Sequence, residues 1–287
     1  MTRIAFLVPT RGAESRLPNT MRSVLAASEL LASVEDVTVE VVVICGGQHQ
    51  GLSCAGQKAS SGRFAVIHPF ASSKVTLLHM GCKVVSDIDF LFTVDDDVSF
   101  QPDVCIRALR SLMADPDLGV VAVATAVEPY SGPNPISRLV YDVINCRSLW
   151  DLYKDDDPYL IGRLVALRGG QYPVPTDRIV DDLSLDIMFL GYSSIIEGPV
   201  RYQGVGSLRR QFKRVAMLEG ARRQAAELEP RKYDLLKQTR TREISEQRVA
   251  SLNRYQRTCL ATYGVLRFCT NRVWCDWLGQ FSSQTTW

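Results

Sequence analysis

Five short apolar runs limit what this chain can fold into: Ile4 to Val8, Val37 to Ile44, Arg63 to His68, Asp89 to Val94 and Gly119 to Val127. Each is close to continuously apolar, as expected of strands buried on both faces. Between them, Thr20 to Ala32, Lys74 to Val85 and Asp103 to Met113 carry apolar residues at helical spacing. Strands alternating with helices predict an α/β fold, with a mostly parallel sheet sandwiched by helices. The chain has 287 residues, 46% hydrophobic and 22% charged, which suits one large α/β domain or two smaller ones.

Beyond Gly119 to Val127 the pattern changes. Glu128 to Asp157 reads as a loosened Pro- and Gly-containing segment with aromatics, either an inserted loop or a second, acceptor-facing half. Leu160 to Leu167 restarts an apolar run, Asp182 to Gly191 reads as a helix with a Gly stop, and Ser193 to Val200 as a last strand. After Ser207 the chain turns helical and basic. Residues 1–200 hold 16 basic and 24 acidic side chains, net −8, whereas 201–287 hold 17 and 7, net +10. The expected organisation is therefore a catalytic domain over 1–206, with halves 1–127 and 128–206, followed by a basic amphipathic extension over 207–287. Such a basic segment is a solvated face or a contact for phosphates, lipid headgroups or another anionic partner.

The N-terminal MTRIAFLVPT lacks a secretory pattern, and no stretch approaches the roughly 20 apolar residues of a membrane span. A cytoplasmic location is expected, either free or in peripheral contact with a membrane, and no nucleic-acid partner. The eight cysteines form no CxxC pair and sit mostly in apolar stretches, as reduced thiols do.

In open α/β sheets, ligands bind beyond the carboxyl ends of the strands. Thr10, Cys45, His68 and the triplet Asp95-Asp96-Asp97 all lie at such ends. Adjacent carboxylates repel and resist burial, so the triplet needs a compensating partner. Helix capping by Asp97 or Ser99 explains one acid, not three. A calcium loop fails because Phe100 stands where Gly is required and Ile106 where the bidentate Glu belongs. A phosphate loop over Gly51 to Lys58 has Gln57 in the place of the Lys and Lys58 in that of Ser or Thr. The remaining account has Asp95 and Asp97 holding a divalent cation, with a diphosphate filling its other positions.

Several stretches, taken in order, resemble the inverting glycosyltransferases of family 2, nucleotide-sugar enzymes of the GT-A fold. Val8-Pro9-Thr10-Arg11 followed by Glu14 resembles the family's nucleotide-contacting turn. Lys74, with Gly81 behind it, is similar to the Lys that opens the helix feeding the metal strand. Asp95-Asp96-Asp97 matches the Asp-x-Asp, and Gly162-Arg163 lies in a stretch similar to the strand along the sugars. Asp181-Asp182 resembles the acidic pair that contains the catalytic base. Gln211-Phe212-Lys213-Arg214-Val215 resembles the Gln-x-x-Arg-Trp motif of processive synthases, with Val215 replacing Trp. The resemblance spans roughly residues 1 to 220. The family's base-reading Asp has no counterpart here, since Cys45 and Gly46 follow the second strand.

The resemblance implies a GT-A fold and transfer of a single sugar from a nucleotide diphosphate donor, UDP favoured, to an unidentified acceptor. It implies Mn2+ or Mg2+ on Asp95 and Asp97. Pro9, Thr10, Arg11, Glu14, Lys74, Asp95, Asp96, Gly162, Arg163, Gln211 and Arg214 would contact the donor, and Asp182, with Asp181 beside it, would serve as base. A sugar-nucleotide nucleotidyltransferase and a non-catalytic nucleotide- or carbohydrate-binding protein are the alternatives. In the tail, Trp274, Trp277 and Phe281 mixed with Arg267 and Arg272 would dock on the domain, pair two copies or lie on an anionic membrane.

Overall fold

The structure is a computed structural model that describes residues 1–10, 16–46, 64–67, 73–85, 87–150, 162–175, 181–239 and 245–269. Eight strands form one sheet: β1 (Thr2–Thr10), β2 (Val37–Cys45), β3 (Phe64–Ile67), β4 (Phe90–Val94), β5 (Val98–Ser99), β6 (Val120–Glu128), β7 (Leu164–Arg168) and β8 (Ser193–Gln203). Their order is β3-β2-β1-β4-β7-β6-β8-β5. The β3-β2-β1-β4 part is parallel, as the apolar runs predict. The strand β7 enters antiparallel to both β4 and β6.

Only Asp95, Asp96 and Asp97 separate β4 from β5, yet the two stand four places apart in the sheet. Four inter-strand steps of about 4.8 Å would need roughly 19 Å in a flat sheet. The links from Val94 to Val98 reach at most about 14 Å. The sheet therefore curls, and the acid triplet is the short bridge that its curl permits.

The helices described are α1 (Leu17–Val34), α2 (Lys74–Val84), α3 (Asp103–Ala114), α4 (Pro135–Leu149), α5 (Asp181–Met188), α6 (Leu208–Leu228), α7 (Pro230–Thr239), α8 (Glu246–Ala250) and α9 (Arg254–Cys269). Strand alternation sends Ala5, Leu7, Val42, Ile44 and Leu91 to one face, where they pack with Val75, Leu77 and Leu78 of α2 and Leu185 of α5. The helix comes close enough that a Cβ on Gly81 would lie 2.8 Å from Ile44 Cδ1 and 3.0 Å from Leu7 Cδ2. On the other face Phe6 stacks on Phe92 at 4.8 Å between ring centres, and α1 and α3 supply Val24, Leu31, Val104 and Leu109.

The chain divides into two compact units. One comprises Met1–Thr125 with Leu160–Arg201, and the other Ala126–Tyr159 with Tyr202–Thr286. In the second unit α4 overturns the expectation of a loosened segment. Asn134 caps it by accepting from Ile136 N and Ser137 N, Pro135 fills the first turn, and Tyr141 is fully buried. The Tyr141 hydroxyl donates to Glu128 O at 2.7 Å and accepts from Gly204 N at 2.8 Å.

One boundary also differs from expectation. The sequence places a strand stop after Val8, but β1 runs through Pro9 to Thr10. Thr10 O accepts from Gly46 N at 2.7 Å, so by alternation Pro9 faces β4, where pairing has already ended at Leu7 and Thr93. The N–H that proline lacks is not needed there. Among the described residues no helix is long and apolar enough to cross a membrane. Cys45, Cys82, Cys105, Cys146 and Cys259 are free thiols, as expected. Trp274, Trp277 and Phe281 lie outside the described residues.

Candidate active site

All three acids of the triplet find partners at the carboxyl end of the parallel strands. Lys74 opens α2, which Ser73 caps by accepting from Thr76 N at 3.1 Å, and this start aims its ammonium at β4. Lys74 Nζ lies 2.7 Å from Asp95 Oδ1 and donates to Gly162 O at 3.2 Å. Arg163 Nη1 lies 2.9 Å from Asp97 Oδ1 and 3.4 Å from Asp95 Oδ2. Thr10 Oγ1, at the end of β1, donates to Asp96 Oδ2 at 2.6 Å.

The antiparallel register explains why residues so distant in sequence meet. Val94 pairs with Leu164, and Asp95 N continues the ladder by donating to Arg163 O at 2.9 Å. Arg163 and Gly162 therefore lie alongside the triplet as a consequence of pairing. Gly162 N in turn donates to Asp182 Oδ1 at 3.0 Å, bringing the first turn of α5 to the same place. Lys74, the two backbone groups of Gly162 and Asp182 thus form one connected line that starts at Asp95.

The triplet is also held from behind. Thr20, fully buried on α1, accepts from Val98 N at 3.1 Å, and its hydroxyl lies 2.6 Å from Val98 O and 3.0 Å from Asp96 O. Ser23, on the same helix, accepts from Phe100 N at 3.2 Å. Cys45, at the end of β2, is buried, and burial together with the nearby Asp96 carboxylate pushes its thiol pKa up. It is a neutral thiol at physiological pH, not a second acid.

Electrostatically the cluster suits an anionic ligand next to a cation. Asp95 and Asp97 are about a fifth to a quarter exposed, at 21% and 26% of their side chains, and the side chains of Lys74 and Arg163 neutralise them. Charge-assisted pairs of this geometry can be exchanged for others without leaving a buried charge bare.

No known family's sequence profile matches the chain, and no curated protein matches its sequence. Solved structures do match its fold. A mannosyltransferase from Pyrobaculum calidifontis, in complex with GDP-Man and Mn2+, is 16% identical, with a TM-score of 0.52 over 96% of this chain and 83% of that one. A mannosyl-3-phosphoglycerate synthase from Rubrobacter xylanophilus is 15% identical, with a TM-score of 0.53 over 79% of this chain and 75% of that one. Residues 1–349 of S. aureus TarS are 14% identical, with a TM-score of 0.50 over 92% of this chain and 79% of that one. The fold is that of the GT-A glycosyltransferases.

On this GT-A framework the structure brings Thr10, Lys74, Asp95, Asp96, Asp97, Gly162, Arg163 and Asp182 into one constellation, with Pro9 buried beside it in β1. Asp181 begins α5. Gln211 and Arg214 lie on α6 in the second compact unit. Arg11 and Glu14 lie outside the described residues, as do Asp177 to Val180. Sequence reading missed the positioning role of Thr20 and Ser23. The available signal was a threonine on the mostly apolar buried stripe of Met21, Val24, Ala27, Ser28 and Leu31.

Proposed function

We propose that this protein is a metal-dependent inverting glycosyltransferase, moving one sugar from a nucleotide diphosphate donor, a UDP-sugar by preference, to an acceptor. The observation that carries the reading is the line from Asp95 through Lys74 and the backbone carbonyl and amide of Gly162 to Asp182. It joins a diphosphate-suited cluster to a carboxylate of fixed orientation. The GDP-Man and Mn2+ of the mannosyltransferase complex and the UDP-GlcNAc of a TarS complex support the same class of donor.

The residues present fit a divalent ion. Asp95 and Asp97 are partly exposed, offer hard oxygen donors, and are already bridged by one guanidinium nitrogen. Among the described residues no group of three His, Cys, Asp or Glu side chains is placed to hold a metal by itself, so further oxygens would be the diphosphate's. Bound there, Mn2+ or Mg2+ would supply charge stabilisation to the diphosphate leaving group.

The protein's own groups divide the remaining work. Lys74, Arg163 and Arg214 would stabilise negative charge on the leaving diphosphate. Pro9, Thr10, Arg11, Glu14 and Asp96 would contact the nucleoside, and Gly162 and Gln211 the donor. Asp182, held at Oδ1 by the Gly162 N–H, would take the acceptor hydroxyl proton during direct displacement, which gives inversion. Asp181, next in the chain, would position it. The acceptor would be served by residues 128–206.

A panel of nucleotide sugars assayed with and without Mn2+ tests this. Asp182→Asn should lower turnover by roughly 10²–10⁴-fold while nucleotide binding persists, since it removes the base and keeps the shape. Retained nucleotide binding without turnover of any donor and acceptor pair would instead favour a non-catalytic binder.

A further inference from the structure

Arg163 stands where one cation serves both outer acids of the triplet. A single nitrogen, Nη1, reaches Asp97 Oδ1 at 2.9 Å and Asp95 Oδ2 at 3.4 Å, while Lys74 holds the other Asp95 oxygen at 2.7 Å. Beneath it the backbone is fixed, because Arg163 O accepts from Asp95 N and Leu164 pairs with Val94. The guanidinium can therefore leave only by side-chain rotation. It also cannot lose its charge to make room for another cation.

We propose that Arg163 is an internal counter-ion: in the donor-free protein it fills the space between Asp95 and Asp97, and it yields that space to a divalent cation only when a nucleotide diphosphate is present to receive it. The proposal rests on the glycosyltransferase reading and adds an order to it.

Without a diphosphate, vacating the space means breaking two ion pairs. With a diphosphate, the planar fork of Arg163 gains phosphate oxygens, which it matches better than a point charge would. Lys74, 29% exposed, gains the same anion and eases its hold on Asp95. Cation and nucleotide then bind as a coupled pair. Linkage requires each to tighten the other by the same factor, roughly 5–150-fold for couplings of ordinary size. A site poised this way does not hold a cation idle between turnovers.

The test is a Mn2+ titration of the full chain followed by electron paramagnetic resonance, alone and with saturating UDP or GDP. Wild type, Arg163→Ala and Arg163→Lys are compared, each with its melting temperature. Wild type should bind Mn2+ weakly alone and at least fivefold more tightly with nucleotide. Arg163→Ala should bind Mn2+ alone at least tenfold more tightly than wild type, with a smaller further gain from nucleotide than wild type shows. Arg163→Lys should fall between, because an ammonium on a shorter reach neutralises one carboxylate better than two. Arg163→Ala that melts normally yet binds Mn2+ alone no more tightly than wild type overturns the proposal. If Arg163→Ala does not fold, equal Mn2+ affinity of wild type with and without nucleotide overturns it. Both outcomes leave the glycosyltransferase reading intact. Nucleotide binding with no Mn2+ or Mg2+ bound in any state overturns the metal-dependent reading itself.

Discussion

The side chains that hold the triplet matter as much as the triplet. Thr20 satisfies Val98 N in a fully buried setting, so Thr20→Val leaves that amide without a partner. An orphaned buried donor costs about 1–3 kcal/mol, and chemical denaturation should show a loss of that size, with Thr20→Ser much nearer wild type. The same variant should weaken UDP binding in the presence of Mn2+, because Asp96 and Val98 move together. Asp97 is different: it is partly exposed, and it pairs with Arg163 at 2.9 Å. Asp97→Ala should abolish the Mn2+-dependent part of UDP stabilisation in a thermal-shift experiment while leaving the fold intact. Undiminished Mn2+ dependence would return the triplet to a capping role.

At the scale of elements, two opposed effects meet in α2. Alanine favours a helix interior over glycine by about 1 kcal/mol. At Gly81, however, the added methyl would lie 2.8 Å from Ile44 Cδ1, and overpacking a dense core costs about 1–3 kcal/mol. Packing should win, so Gly81→Ala is expected to lower stability by up to about 2 kcal/mol in urea unfolding. A gain in stability would show that Ile44 and Leu7 give way freely. The element that sequence reading missed, α4, teaches the converse. Gly132, Pro133 and Pro135 punctuate its start, and its buried residues run consecutively from Tyr141 to Cys146, with Asp142 and Asn145 among them. Burying two polar residues erases the apolar stripe that marks a helix. Their partners come from far along the chain: Tyr255 Oη donates to Asp142 Oδ2 at 2.8 Å, and Asn145 bonds both Val205 N and Val205 O.

For the whole molecule, the buried thiols set an alkaline limit. Burial raises Cys146 from 9.0 to about 12, and Cys105 is also pushed up, again chiefly by burial. Below pH 9 both folded and unfolded chains keep the Cys146 proton, so its contribution is fully present. Between pH 9 and about 12 the unfolded chain sheds the proton and the folded one retains it, which favours unfolding. The melting temperature should therefore fall as pH rises through this window, and Cys146→Ala should flatten that dependence. A melting temperature independent of pH from 9 to 12 would contradict it.

The sequence by itself determined the layered α/β architecture. Strand and helix periodicities are local, and continuous apolar runs leave little choice but a sheet covered on both faces. It also marked the acid triplet, because three adjacent carboxylates at a strand end need a compensating partner, whereas Lys74 and Asp182 were marked only by the resemblance to family 2 glycosyltransferases. Only the tertiary structure decided that β7 would run antiparallel beside β4. That pairing lays Gly162 and Arg163 against Asp95 and so makes one site out of segments about 70 residues apart. It likewise decided that Thr20 would hold the triplet from behind and that α4 would be a helix. Pairing direction, register and the satisfaction of buried polar groups depend on partners distant in the chain, and no local period records them.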